Sequence, residues 1–211
     1  MSSAKLIVVS APSGCGKGTI LAKAFENRDA YFSISCTTRK IRKGEEDGKN
    51  YFFISKDEFG RMIKENEFLE YAQYNNNYYG TPKIPVLEKL ARGTDVILEI
   101  ETKGAFKVKQ AFPEAVLLFI LPPHITDLLR RLQKRGTESN EVILERFSHA
   151  KKEIKQAYHY DYVIMNDELD KAVEDFLTVV DSVRAQDGRA DEFSTKNDEI
   201  VKMIEGVLIN A

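Results

Sequence analysis

Two stretches of this sequence carry residue types at spacings that suit phosphate chemistry. The first is Leu6-Ile7-Val8-Val9-Ser10 followed by Ala11-Pro12-Ser13-Gly14-Cys15-Gly16-Lys17-Gly18-Thr19. An apolar strand feeding a glycine-rich turn that opens a helix lets backbone N–H groups converge on phosphate oxygens, and the helix N-terminus adds positive potential. Lys17 would reach the terminal phosphates as a mobile point charge. The pattern departs from G-x-x-x-x-G-K-[ST] at both ends, with Ala11 for the first glycine and Gly18 for the last hydroxyl residue. The second stretch is Ser35-Cys36-Thr37-Thr38-Arg39-Lys40-Ile41-Arg42-Lys43-Gly44-Glu45, followed by Tyr51, Phe68-Leu69-Glu70-Tyr71 and Asn77-Tyr78-Tyr79-Gly80-Thr81. Guanidinium forks bind a phosphate dianion bidentately, and phenolic hydroxyls add single hydrogen bonds. Read in isolation, Arg39 and Arg42 are more often a solvated basic turn, and Glu70 more often an exposed strand carboxylate.

The elements that must position these residues alternate between apolar runs and helical patterns. Strands are expected at Lys5–Ser10, Tyr31–Ser35, Val96–Ile100, Val116–Leu121 and Tyr162–Met165, most of them continuously apolar, as strands covered on both faces require. A helix is expected near Thr19 and another at Ser55, where Glu58 three residues on makes a capping-box signature. Ile143, Phe147, Ala150, Ile154 and Ala157 recur at helical spacing, as do Leu169, Ala172, Val173, Phe176 and Val180. This alternation argues for an α/β fold around a parallel sheet. Two polar stretches, about Ser35 to Thr81 and about Arg135 to Arg146, interrupt it and read as insertions carrying binding groups. After Gln186 a linker-like run, Asp-Gly-Arg-Ala-Asp-Glu, precedes a short amphipathic helix with Ile200, Val201, Ile204, Val207 and Leu208 on one stripe.

Composition sets the outer limits. The 211 residues are 43% apolar and 30% charged, enough for one large domain with its own core and unlike collagen, disordered chains or small disulfide-stapled folds. No apolar run approaches the roughly twenty residues of a membrane span. With 31 basic against 33 acidic side chains the net charge is −2, so there is no global field for wrapping nucleic acid and any bound anion needs local clusters. Cys15 and Cys36 form no disulfide framework, and the three histidines are scattered; a reduced, cytoplasmic setting is expected.

Taken together, the motifs resemble guanylate kinase, the ATP-dependent GMP-phosphorylating family, from about Lys5 to about Arg184. The resemblance rests on A-P-S-G-x-G-K, S-x-T-T-R-x-x-R-x-G-E, Tyr51, the F-L-E-Y and N-Y-Y-G-T blocks, Leu98-Glu99-Ile100-Glu101 and Arg135-Gly136-Thr137-Glu138. It implies an α/β fold of P-loop NTPase type, a parallel sheet flanked by helices, with an inserted GMP-binding subdomain (about 35–82) and a mobile lid (about 136–147). These lie within a domain of residues 1–186, ahead of a linker and helix at 187–211. It also implies transfer of the γ-phosphoryl group of ATP to GMP and dGMP, giving ADP and GDP, in purine nucleotide metabolism and GMP recycling. Mg²⁺ accompanies ATP as cofactor. ATP and GMP are the implied partners, with no nucleic acid or membrane, in a monomer or homodimer.

By motif position the resemblance places Ser13, Gly14, Cys15, Gly16, Lys17, Gly18, Thr19, Arg131 and Asn166 on ATP. Arg39, Arg42, Tyr51 and Tyr79 would hold the GMP phosphate. Glu70 would accept from guanine N1–H and the 2-amino group, with Thr81 near O6, and Ser35, Glu99 and Glu101 close by. Thr19 and Glu99 would face Mg²⁺, directly or through water, since Gly18 lacks the usual hydroxyl. Lys17, Arg39, Arg135 and Arg146 would carry the catalytic charge. Glu101 is a departure, because many relatives carry aspartate there; its longer side chain moves the charge by one methylene. Two rivals remain: a kinase of the same scaffold acting on AMP or a sugar phosphate, and a binding module of the kind whose ATP loop has decayed. Glu70 with Thr81 argues against the first, and Lys17 with Gly14 and Gly16 against the second.

Overall fold

The computed structural model describes residues 4–74, 76–134 and 140–209. In chain order the strands are β1 (Leu6–Ser10), β2 (Tyr31–Phe32), β3 (Cys36–Thr37), β4 (Phe52–Phe53), β5 (Phe68–Tyr74), β6 (Asn77–Pro82), β7 (Val96–Glu99), β8 (Val116–Leu121) and β9 (Tyr162–Met165). The α-helices are α1 (Lys17–Ala24), α2 (Lys56–Lys64), α3 (Lys83–Ala91), α4 (Thr102–Ala111), α5 (Ile125–Lys134), α6 (Asn140–Lys155), α7 (Leu169–Ala185) and α8 (Asp198–Ile209).

Five strands form a parallel sheet in the order β2-β7-β1-β8-β9, with β1 at its centre. Every residue of β1 and β8 is buried, which is why these strands read as unbroken apolar runs rather than alternating ones. The strands that flank β1, β7 and β8, come later in the chain and lie on opposite sides of it, so the loop after β1 opens at a topological switch point. The Ser10 hydroxyl donates to the Ile100 carbonyl at 2.8 Å, tying the ends of β1 and β7 together.

The expected strand Tyr31–Ser35 pairs only over Tyr31–Phe32. The chain there leaves the parallel sheet for a second one, and the Ser35 carbonyl already accepts from the Phe52 N–H at 2.9 Å. This smaller sheet has the order β4-β3-β6-β5, with a bulge between Phe68 and Glu70. Its separate core is Cys36, Phe59 and Phe68, with Phe59 stacked on Phe68 at 4.4 Å and on Tyr78 at 5.4 Å. Phe59 comes from α2, whose N-cap Ser55 accepts from the Glu58 N–H at 3.0 Å. The reciprocal half of the capping box gives way to a stronger partner, because the Glu58 carboxylate pairs with Arg61.

The linker-like run is folded onto the core. Ser182 donates to Asp187 at 2.7 Å and accepts from the Ala190 N–H at 2.9 Å, and Ser194 bridges to Tyr162. Helix α8 then buries Ile200, Ile204 and Val207 in the main core, so its apolar stripe is covered by the chain itself. Among the described residues no helix is long and apolar enough to cross a membrane.

Candidate active site

The loop from Ala11 to Gly16 turns on two glycines held in the left-handed region, Gly14 at φ 87° and Gly16 at φ 94°. L side chains avoid that region, and the Cys15 N–H closes the turn onto the Pro12 carbonyl at 3.0 Å. Gly16 is the N-cap of α1, and its carbonyl accepts from the Thr19 and Ile20 N–H groups at 3.0 and 3.1 Å. Cys15 braces the loop from beneath: its buried thiol donates to the Ile120 carbonyl at 3.5 Å. Asn166, expected on the adenine side, is buried there as well, with its amide donating to the Cys15 carbonyl at 2.6 Å. Its side chain therefore supports the loop through the Cys15 carbonyl. Ser13, Gly18 and Thr19 are exposed, and a Cβ at Gly18 would meet nothing within 4 Å.

Lys17 lies 3.6 Å from Glu99 at the end of β7. Burial pulls its ammonium below the ordinary lysine range, opposed first by Glu99 and then by Glu101 and Glu153. Glu153, on α6, went unrecognised in the sequence. Burial first, and then Glu101, push its carboxyl up to about 7, while Lys17 and the Ser13 N–H favour the ionised form. Its signal was its place among Ala150, Ile154 and Ala157, all buried on the stripe that faces the core. Glu99 thus pairs with the ammonium, and the charges of Glu101 and Glu153 act on it as well. Glu99 also faces the second half of the site, where its charge bears on the Tyr51 phenol.

On the small sheet, Arg39 is fixed before any ligand arrives. Glu45 binds it bidentately at 2.8 and 2.9 Å, and its guanidinium stands 5.4 Å over the Tyr51 ring. Tyr79 lies beside Tyr51, ring centroids 6.0 Å apart, and, after Glu45, favours the charged Arg39 guanidinium. The Arg39 guanidinium, and after it the Arg42 N–H at 2.8 Å, hold Glu45 down at about 2. Arg42 itself is exposed. Glu45 appeared in the sequence only as the end of a motif; the structure makes it the holder of Arg39.

Glu70 on β5 is buried, and its Oε1 accepts from the Thr81 hydroxyl at 2.8 Å across the β5–β6 ladder. Burial raises its carboxyl above the usual range, with Thr81 and Lys107 pulling the other way. Ser35 is half-buried where the chain enters the small sheet, and Glu101 stands exposed at the N-cap of α4. The structure thus brings Arg39, Tyr51 and Tyr79 together, Glu70 with Thr81, and Lys17 with Glu99, Glu101 and Glu153. Arg131 lies in α5 and Arg146 in α6, but their side chains, and Arg135 altogether, fall outside the described residues. Among those residues no three His, Cys, Asp or Glu side chains converge to hold a metal by themselves.

A family model described as guanylate kinase matches residues 3–183. The chain is 53% identical over 176 residues to a guanylate kinase of Caldanaerobacter subterraneus subsp. tengcongensis, covering 83% of this chain and 85% of that protein. It is 45% identical over 208 residues to a guanylate kinase of Clostridium tetani, covering 99% and 97%, so this match extends through the C-terminal region that the family model leaves out. Among solved structures, a guanylate kinase of Anaplasma phagocytophilum superposes with a TM-score of 0.72 at 28% identity, covering 98% of this chain and 96% of that one.

Proposed function

The chain belongs to the guanylate kinase family and transfers the γ-phosphoryl group of ATP to GMP, and from that premise we propose which of its residues perform the transfer. The observation that carries the assignment is the buried Glu70–Thr81 pair: Thr81 engages Oε1, and a carboxylate keeps further lone pairs that can accept from ligand donors. Guanine presents N1–H and a 2-amino group side by side, and one carboxylate accepts both. Adenine lacks that pair and would leave Glu70 buried and unpaired, which a polar site penalises by about 10⁴. Thr81 faces O6, with Ser35 and Glu101 beside the base.

Arg39, Arg42, Tyr51 and Tyr79 hold the GMP phosphate with one oxygen in line with the γ-phosphorus. Residues 13–19 take the ATP phosphates, and Lys17 turns from Glu99 onto their β- and γ-oxygens. Asn166 and Cys15 keep the loop in shape. Arg131, Arg135 and Arg146 add charge where it develops; Arg135 and Arg146 flank a lid of about 136–147 that folds over the phosphates, and a GMP-binding subdomain of about 35–82 holds the acceptor. The GMP phosphate is already an anionic nucleophile, so no general base is needed; alignment, charge neutralisation and exclusion of water lower the barrier. An ion carried on phosphates needs few protein donors, and the exposed Thr19 hydroxyl with the half-exposed Glu99 carboxylate fits Mg²⁺ held directly or through water. When bound, Mg²⁺ supplies neutralisation and orientation of the phosphate oxygens. The enzyme also takes dGMP, recycles GMP in the cytoplasm, and works as a monomer or homodimer.

The test is ADP formation from ATP with GMP, dGMP, AMP, CMP or UMP as acceptor. Turnover is expected with GMP and dGMP alone, falling about 10³-fold in Lys17→Ala. Turnover with AMP would void the guanine pocket. Bound GMP without turnover would make the chain a binding module.

A further inference from the structure

Helix α4 leaves the parallel sheet and meets the small one at a residue with no side chain. A Cβ at Gly104 would stand 2.8 Å from Glu70 Oε2 and 3.2 Å from its Cδ, with Ile100 Cδ1 at 3.3 Å. Gly104 has no positive φ, so the backbone does not call for glycine there. Inside a helix glycine costs about 1 kcal/mol relative to alanine. What this position requires is space. The opposite carboxylate oxygen, Oε1, is held by Thr81 at 2.8 Å. The Glu70 carboxylate is therefore seated between a hydroxyl on β6 and the bare backbone of α4. Lys107, three residues further on, binds the Tyr71 carbonyl and lies 5.0 Å over the Tyr71 ring, which clamps α4 against β5 next to Glu70.

We propose that Gly104 is a positioning residue for guanine selection: its missing side chain leaves the space in which Glu70 is seated against Thr81, facing the N1–H and 2-amino donors. This rests on the assignment of Glu70 to guanine made above. A methyl group at 104 meets the movable end of a flexible side chain rather than backbone, so the fold survives and the carboxylate shifts. A shift of about 1 Å is enough to lose two hydrogen bonds to a planar base edge. The three atoms nearest a Cβ at Gly104 belong to Glu70 and Ile100, not to the phosphate loop, so ATP binding is expected to be spared. Stability and selectivity should therefore part company in one substitution.

The experiment compares Gly104→Ala, Glu70→Ala and the double variant by thermal melting and by KM for ATP and for GMP. For Gly104→Ala the expected result is a melting temperature equal to or a few degrees above wild type, KM for ATP within twofold, KM for GMP raised about tenfold or more, and the preference for GMP over AMP reduced to match. In the Glu70→Ala background the same substitution should add nothing to KM for GMP. An unchanged KM for GMP in a stable Gly104→Ala, with Glu70→Ala impaired, would overturn this inference alone. Equal rises in both KM values would overturn it too, because that outcome is general distortion. A normal KM for GMP in Glu70→Ala would overturn the guanine assignment and this inference with it.

Discussion

The two halves of the site are built by opposite means. On the phosphate-loop side the binding groups are backbone amides, shaped by Gly14 and Gly16 and carried by a sheet in which Val8, Val9, Leu118 and Ile120 are fully buried. On the small sheet they are side chains held by other side chains, Arg39 by Glu45 and Glu70 by Thr81. That sheet rests on a buried cluster of Cys36, Phe59 and Phe68. A backbone cradle survives changes in its neighbours as long as its sheet stands. A site of mutually held side chains depends on each holder, and it can shift or open without unfolding the rest. The half proposed for ATP thus relies on backbone geometry, and the half proposed for the base on pairs of side chains.

The largest test of this contrast is Phe59→Ala. Phe59 is 1% exposed and packs on two aromatic rings, and truncating such a side chain costs about 3–5 kcal/mol. If the small sheet opens by itself, kcat/KM for GMP should fall by about a hundredfold or more, while binding of an ATP analogue and the main melting transition stay close to wild type. A single transition lowered as a whole would make the two sheets one cooperative unit and break the comparison.

The same contrast explains what the sequence disclosed. The parallel strands were legible because full burial writes them as apolar runs, and Val116–Leu121 and Tyr162–Met165 match the structure residue for residue. The phosphate loop was legible because amide cradles need glycine at fixed spacing. Helices α3 and α4 were not singled out. Each carries few fully buried residues, and α4 interleaves Lys103, Lys107 and Lys109 with small ones, so its stripe is faint. Strands β3 and β4 are two residues each, too short for a period to show. Arg39 and Glu70 carried little meaning until the motifs were read together, because exposure alone separates a solvated charge from a held one. Glu45, Glu153 and Gly104 act on other site residues, and such relations are set by tertiary contact rather than by local pattern.

A smaller and more local effect is expected from Glu45→Gln. Loss of the bidentate partner frees Arg39, whose five donors otherwise keep a fixed fork. Two consequences compete, since an unpaired guanidinium attracts phosphate more strongly but must be ordered on binding. The half-buried Arg39, already stacked on Tyr51, is placed by its partner more than it is neutralised by it. KM for GMP should therefore rise about tenfold, as loss of an orienting partner does at metal sites, with KM for ATP unchanged. A fall in KM for GMP would make Glu45 a competitor for the phosphate, and the small sheet would then be less preorganised than its geometry implies.

The smallest effect separates the halves by pH. Glu153 titrates at about 7 in the folded chain, chiefly through burial and then Glu101, against about 4.3 unfolded. Between those values the folded state binds the extra proton, so the contribution of this group to stability is complete below about 4.3 and is lost as pH rises through 7. Glu45 has the opposite sign: held near 2 by Arg39, its contribution is present above the ordinary carboxylate range and is lost only as pH falls toward 2. From pH 6 to pH 8 the ligand-free protein should lose a few degrees of melting temperature relative to Glu153→Gln. Relative to Glu45→Gln it should show no trend. A flat Glu153 comparison would mean that Lys17 already neutralises the carboxylates around it, and that the phosphate loop waits for nucleotide in a balanced state rather than a strained one.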